Sequence, residues 1–236
     1  LGRVADTAAP MQALLEALPA PDKISFITAL PALYQRVANK NEALQAVESA
    51  LADAQKDPQL APAAWTTIGR LRLQQGDRTG ALVAATLGLN AGAGSEWPAL
   101  LALQLFSGAD ETQAEPLIKR YLAGADAKPE VQIGYVRALL ERGRRADARA
   151  QAAALVQRWP QYPDGWLLQG LLDADDRHDA QAEPALKHFL DLLAQPNAEA
   201  TGGDRLAGRN QAYLTLARIA QRRGDDAGAR QWLDSV

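Results

Sequence analysis

The sequence has no cysteine, only two histidines and one methionine, and aromatic residues make up 6% of it. Without cysteine there can be no disulfide, thiolate zinc site, iron–sulfur cluster or thiol nucleophile. The two histidines, His178 and His188, are too few for a multi-histidine metal site. The longest apolar run, Trp97 to Leu103, is far shorter than the roughly 20 residues of a membrane-spanning helix, so this segment is not expected to insert into a bilayer. Neither charge sign dominates: 25 Lys and Arg stand against 28 Asp and Glu, a net charge of −3. That balance argues against general nucleic-acid binding. Neither a Gly-x-Gly-x-x-Gly nor a Gly-x4-Gly-Lys-Ser/Thr phosphate loop occurs. No metal and no cofactor are therefore expected.

What the chain does have is alanine and leucine, 49 and 35 of 236 residues. Both favour helices, and 47% apolar with 22% charged residues suits a folded globular chain. Small alanines allow helices to approach closely. The expectation is an all-α protein.

Internal repeats are the strongest signal. Gln113-Ala-Glu-Pro-Leu-Ile-Lys-Arg-Tyr-Leu122 recurs 68 residues later as Gln181-Ala-Glu-Pro-Ala-Leu-Lys-His-Phe-Leu190, which is two units of 34. A glycine followed five residues later by alanine occurs as Gly76 and Ala81, Gly143 and Ala148, Gly224 and Ala229. Trp65, Trp97, Trp166 and Tyr213 form an aromatic series at related spacing. Each unit reads as two helices. Helices are predicted over 63–75 and 79–90, over 130–142 and 145–158, and over 210–223 and from 226 onward. Gly76-Asp77 breaks the first pair, because Gly adopts the positive φ that ends a helix and Asp caps the next one.

These residues resemble the tetratricopeptide repeat, a helix–turn–helix unit of 34 residues. The unit from Pro62 carries Trp65, Ile68, Gly69, Gly76, Asp77 and Ala81 on the family's characteristic positions. The unit from Pro129 carries Gly143, Ala148 and Pro160. The unit from Pro163 carries Trp166 and Gly170, then Ala185 and Phe189 after a turn read as lengthened. The unit from Asn210 carries Tyr213, Leu216, Ala217, Gly224 and Ala229. Degenerate units are marked by Tyr34, Ala43, Val47 and Ala50, and by Trp97 and Gly108. Departures are Arg72, where the family has Tyr, longer turns near Gly108 and His178, and an extra polar loop from Ala198 to Gly208 with Gly202-Gly203. The resemblance implies a right-handed α-solenoid of antiparallel helix pairs. Residues 1–23 would form an N-terminal helical extension, and residues 24–236 about six pairs. Val236 falls inside the last unit's second helix, so that pair is read as truncated and the chain as part of a longer protein. The chain begins at Leu1, which leaves open a preceding signal peptide or lipid anchor.

Candidate chemistry is sparse. Asp173, Asp175, Asp176 and Asp179 invite a calcium-loop reading, but the fifth, sixth and twelfth places hold Arg177, His178 and Pro184. A solvated turn is the reading adopted. His178 has no Ser, Cys or second His at a catalytic spacing, and His188 is read as surface. Arg142, Arg144, Arg145 and Arg149 are read as a solvated turn whose arginines pair with Glu141 and Asp147. Residues 129–160 carry a net +3 and residues 161–196 a net −5, neighbours of opposite sign that can orient an approaching protein. Catalysis within this segment is not expected.

In the family, first helices line a concave groove that holds a peptide or a partner helix. The resemblance places Thr66, Arg70, Leu73 and Gln74 there, then Ala102, Leu105 and Phe106. Ile133, Arg137, Leu140 and Glu141 follow, then Leu167 and Leu171, then Leu214, Arg218, Gln221 and Arg222. Phe106 is the expected central anchor, and Arg70, Arg137 and Arg218 share one place in three first helices. The Lys/Asn clamp with which some members grip a chain-terminal carboxylate is not reproduced. The expected function is a non-catalytic scaffold or adaptor binding a protein or peptide partner. The alternatives are a regulatory or substrate-presenting part of a larger enzyme, and a repeat-mediated homo-oligomer. The Ala/Arg-rich, Lys-poor composition suggests a bacterial protein, and the resemblance to this family adds a lean to the periplasm or cell envelope.

Overall fold

The computed structural model describes residues 7–34, 39–108, 110–195 and 205–236. The side chain of Tyr34 and residues 198–204 of the expected polar loop, Gly202-Gly203 included, fall outside that set. Every regular element among the described residues is helical. In chain order they are α1 (Ala8–Ala17), α2 (Ala20–Tyr34), α3 (Lys40–Ala50), α4 (Ala61–Gln74), α5 (Arg78–Ala91), α6 (Glu96–Phe106) and α7 (Glu111–Leu122). There follow α8 (Pro129–Glu141), α9 (Arg145–Arg158), α10 (Pro163–Asp175), α11 (Asp179–Ala194), α12 (Arg205–Arg222) and α13 (Asp226–Leu233). The chain divides into two compact units, Leu1–Val131 and Gln132–Val236, with the division falling within α8. The fold is an all-α succession of helix pairs, as the repeat spacing predicts. The helix expected from Asn210 begins instead at Arg205, so helix takes the last residues assigned to the polar loop.

One turn recurs between the two helices of a pair. Gly76, Gly143 and Gly224 have φ of +82°, +71° and +76°. The next residue's amide then reaches back across the turn: Asp77 N to Arg72 O at 2.9 Å, Arg144 N to Leu139 O at 2.9 Å, Asp225 N to Ala220 O at 3.0 Å. This satisfies carbonyls that the helix end would otherwise orphan. The turn before His178 was expected to be longer, and it is not. Arg177 occupies the glycine's place with φ +63°, and His178 N bonds to Asp173 O at 2.8 Å. The sequence hid this turn because it uses a residue that rarely adopts the left-handed region. In this register the unit's small second-helix residue is Ala182. Ala81, Ala148 and Ala229 hold the matching places, and all four are buried. Asp77 and Asp225 cap the following helices by accepting Gly80 N and Gly228 N, both at 2.8 Å.

In the first unit, α4 packs on α5, α2 and α6, and α6 packs on α7. Its core joins Ile27 and Leu30 of α2, Val47 of α3 and Ile68 and Leu71 of α4, with Trp65 and Trp97 at the edge. A Cβ on Gly69 would lie 2.3 Å from Leu101 Cδ2 and 3.1 Å from Ala84 Cβ. In the second unit, α10 packs on α11 and α12, and α12 on α13. Its core joins Ala182, Leu186 and Phe189 of α11 to Ala212, Leu216 and Ile219 of α12, bordered by Trp166 and Trp232. The close approach expected at Gly170 is present: a Cβ there would lie 2.7 Å from Leu186 Cγ, on the second helix of its own pair. The 68-residue repeat is structural as well. Ala114, Ile118 and Tyr121 are buried, as are Ala182, Leu186 and Phe189. Lys119 pairs with Glu115 at 2.8 Å and Lys187 with Glu183 at 2.7 Å.

Candidate protein-interaction surface

Charged side chains sort by their place in the repeat. The turn arginines are committed. Arg78, the first residue of α5, bonds through Nε to Asp110 at 2.5 Å and through Nη2 to the Leu105 carbonyl at 3.3 Å. Arg145, the first residue of α9, repeats the arrangement with Asp176 and, at 3.4 Å, the Leu172 carbonyl. Each of these arginines ties a second helix to the pair that follows. Sequence reasoning missed this device, although Arg78 and Arg145 both stand two residues after a turn glycine. Arg145 does not pair within its own turn as expected. Arg144 does, with Asp147 at 2.7 Å. Arg149 bonds to Asp173 at 3.1 Å and lies 3.5 Å from Asp176. The acidic stretch from Asp173 to Asp179 is solvated only in part: Asp175 and Arg177 are exposed, while Asp173, Asp176 and Asp179 are bound to arginines. Asp173 is 5% exposed, and Asp179 is held by Arg222. Among the described residues, no group of three or more His, Asp or Glu side chains is placed to hold a metal ion.

A second pair recurs with its polarity reversed. In the first unit Arg72 meets Glu48 of the preceding second helix at 2.6 Å and donates to the Gly80 carbonyl at 3.3 Å. In the second unit Asp173 holds the place of Arg72, and Arg149 holds that of Glu48. Both pairs span 24 residues. The departure from the family's Tyr at Arg72 is thus one half of an ion pair that stitches neighbouring repeats.

The sites expected on the first helices fall into two groups. Thr66, Leu105 and Phe106 are buried, at 1%, 0% and 0% exposure, and cannot meet a partner. Thr66 donates its hydroxyl to the Pro62 carbonyl at 2.7 Å. α6 is apolar on nearly every side, and such a helix is enclosed by its neighbours. Phe106 is therefore core and not an anchor, and Ala102 is buried with it. Ile133 is also core, packed with Leu155 and Tyr162. Leu73, Leu140, Leu167 and Leu171 are half-buried, and the last two border the core of the second unit. Gln74, Arg137, Glu141, Leu214, Arg218, Gln221 and Arg222 are exposed. Arg222 is committed to Asp179, so it belongs with the turn arginines.

Arg70, Arg137 and Arg218 remain. Among the described residues, none of the three makes a side-chain hydrogen bond or ion pair. Arg137 and Arg218 are exposed, while Arg70 is half-buried, and burial depresses its pKa with no carboxylate acting against the shift. Beside Arg218, the second unit exposes Leu214 at 38% and Gln221 on α12. On the second-helix side of the same unit, a cleft of about 430 Å³ opens between α9, α10 and α11. Its alanine-rich wall includes Ala146, Ala150 and Ala153, facing Gln169 and Asp173. No described helix is long and apolar enough to cross a membrane.

No family model and no curated protein matches the chain in sequence. Solved structures do match it in fold. The C-terminal part of a TPR repeat-containing protein from Cytophaga hutchinsonii is 14% identical, with a TM-score of 0.62 over 98% of this chain and 92% of that one. PilF of Pseudomonas aeruginosa is 13% identical, with a TM-score of 0.53 over 90% and 89% of the two chains. PilW, a type IV pilus biogenesis factor, is 15% identical, with a TM-score of 0.50 over 89% and 90%. The fold is that of tetratricopeptide-repeat proteins.

Proposed function

We propose that this chain is a non-catalytic scaffold that binds a partner protein through the first helices of its repeats. The observation that carries the reading is the contrast among its arginines. Those at the turns are bonded to carboxylates and carbonyls of the fold, whereas Arg70, Arg137 and Arg218, at one shared place in three first helices, have no side-chain partner among the described residues. A guanidinium offers five donors in a fork that matches a carboxylate. The partner segment therefore mixes acidic with apolar residues, the latter covering Leu171 and Leu214. Exposed charge pairs contribute only about 0–1 kcal/mol each, so the apolar contacts supply most of the affinity. The arginines set association rate and selectivity. A cell-envelope location in a bacterium, to which the likeness to PilF and PilW lends weak support, is part of the proposal and is checked by fractionating the native host.

The test is affinity capture with the wild-type chain, followed by binding kinetics of the captured partner on variants. Reversing Arg70, Arg137 and Arg218 together to Glu is expected to slow association strongly, and added salt to slow it for the wild type. Retention of full binding by the triple variant, with loss on Ala150→Arg in the cleft between α9, α10 and α11, would move the site to the second-helix side.

A further inference from the structure

Three arginines of the first unit sit within nine residues of one another, and two of them show what a partly buried guanidinium takes in this fold. Arg72 holds Glu48 and the Gly80 carbonyl, and Arg78 holds Asp110 and the Leu105 carbonyl. Arg70, on the same helix as Arg72, makes no side-chain hydrogen bond or ion pair among the described residues. Its Nε is shut off from solvent without a hydrogen bond, while the residue as a whole is half-buried. The hydroxyls one turn back are engaged elsewhere, Thr66 with the Pro62 carbonyl and Thr67 with the Ile27 carbonyl at 3.0 Å. Arginine does not shed its proton in a protein, so the charge stays and the desolvation is uncompensated.

We infer that Arg70 is a carboxylate-binding site of the free protein, one that takes the side chain of an acidic residue inside an extended partner segment through its guanidinium. The inference rests on the first-helix reading above and assigns one residue within it a ligand. A carboxylate docked there makes charge-assisted hydrogen bonds in a partly dry setting, where they are stronger than on open surface. The occupant is an internal Asp or Glu and not a chain terminus. Arg72, the other cation of α4, is committed to Glu48, so no second free cation on that helix helps hold a terminal carboxylate. Half-buried Leu73, one turn further along, gives an apolar residue beside the acid somewhere to rest.

The experiment follows the arginine Nε–H signals of the full, 15N-labelled chain by NMR. Three probes are used: acetyl-Leu-Glu-Leu-amide, acetyl-Leu-Gln-Leu-amide, and acetyl-Leu-Gln-Leu with a free terminal carboxylate. Loss of a signal in Arg70→Lys or Arg70→Met assigns Arg70. The glutamate probe is expected to shift the Arg70 signal and the other two to leave it in place. In the absence of probe, Arg70→Met is expected to raise the melting temperature by about 2–4 °C, because it removes an uncompensated charge, while Arg72→Met lowers it. A shift with the free-terminus probe as large as that with glutamate would replace the side-chain ligand by a chain terminus and overturn the assignment. Shifts at Arg137 and Arg218 alone would overturn the role of Arg70 and leave the first-helix reading standing. No arginine moving with any probe would overturn both. A lower melting temperature for Arg70→Met would make the residue a structural one.

Discussion

The two units solve one packing problem with opposite charges. At the place where Arg72 of α4 reaches Glu48, Asp173 of α10 reaches Arg149, and both pairs connect a first helix to the second helix before it. The turn clamp differs in that its polarity is kept: Arg78 and Arg145 both donate, to Asp110 and Asp176. The lesson is that repeat position dictates that a polar bond be made, while the identity of its members is free as long as they complement each other. Arg70, Arg137 and Arg218 make no such bond among the described residues.

The sharpest way to break this comparison is to put like charges together. Asp173→Arg sets a second guanidinium against Arg149 at a site 5% exposed, and should destabilise the protein by about 3–5 kcal/mol in chemical denaturation. Adding Arg149→Asp reverses the pair to the polarity seen in the first unit and should recover most of that loss. Failure of the double variant to recover would show that the two places are not equivalent.

Gly170→Leu probes the packing of the same helix against α11. With Leu186 Cγ already 2.7 Å from the position of a Cβ, overpacking should cost about 1–3 kcal/mol, seen as a lower denaturation midpoint. One turn of the second unit departs from the others by a single residue, Arg177 standing where Gly76, Gly143 and Gly224 stand elsewhere. Because Arg177 sits at φ +63°, Arg177→Gly should stabilise by about 0.5–1 kcal/mol, and Gly76→Ala should do the reverse.

The smallest effect concerns pH. The Arg222 guanidinium holds the Asp179 carboxyl below its ordinary value, and Lys187, then Arg223, do the same for Glu183. A carboxyl with a depressed folded pKa contributes stability that is present above its unfolded value, near pH 4, and is lost as pH falls through the lower folded one. Thermal melts of the wild type should therefore fall between about pH 4 and 3 more steeply than those of Asp179→Asn. Parallel curves would show that these surface pairs contribute nothing measurable.

Much of the fold was legible because it depends on small residues at fixed spacing. Gly76, Gly143 and Gly224 mark turns that need positive φ, and Ala81, Ala148 and Ala229 mark helix crossings without room for more. The turn at Arg177 escaped because the hydrogen bonds that define it belong to the backbone, and the side chain there gives no sign of them. The candidate surface was half legible. The family's pattern pointed to Arg70, Arg137 and Arg218, which remain proposals, and it placed Phe106 and Leu105 among them, which are buried. A positional pattern says which way a residue points from its own helix and not what the neighbouring helices cover. The run from Trp97 to Phe106, with Gln104 its only polar side chain, held the needed signal, since a helix apolar all round has no outer face.

The reversed pair bears on how such an array can be rearranged. A duplication that set the second helix α9 against a copy of α4 would bring Arg149 opposite Arg72, two cations where each now meets an acid. Neighbours thus carry a matching code at their junctions. Shuffling the order of these repeats, by recombination or by protein engineering, works only at junctions where donor and acceptor travel together.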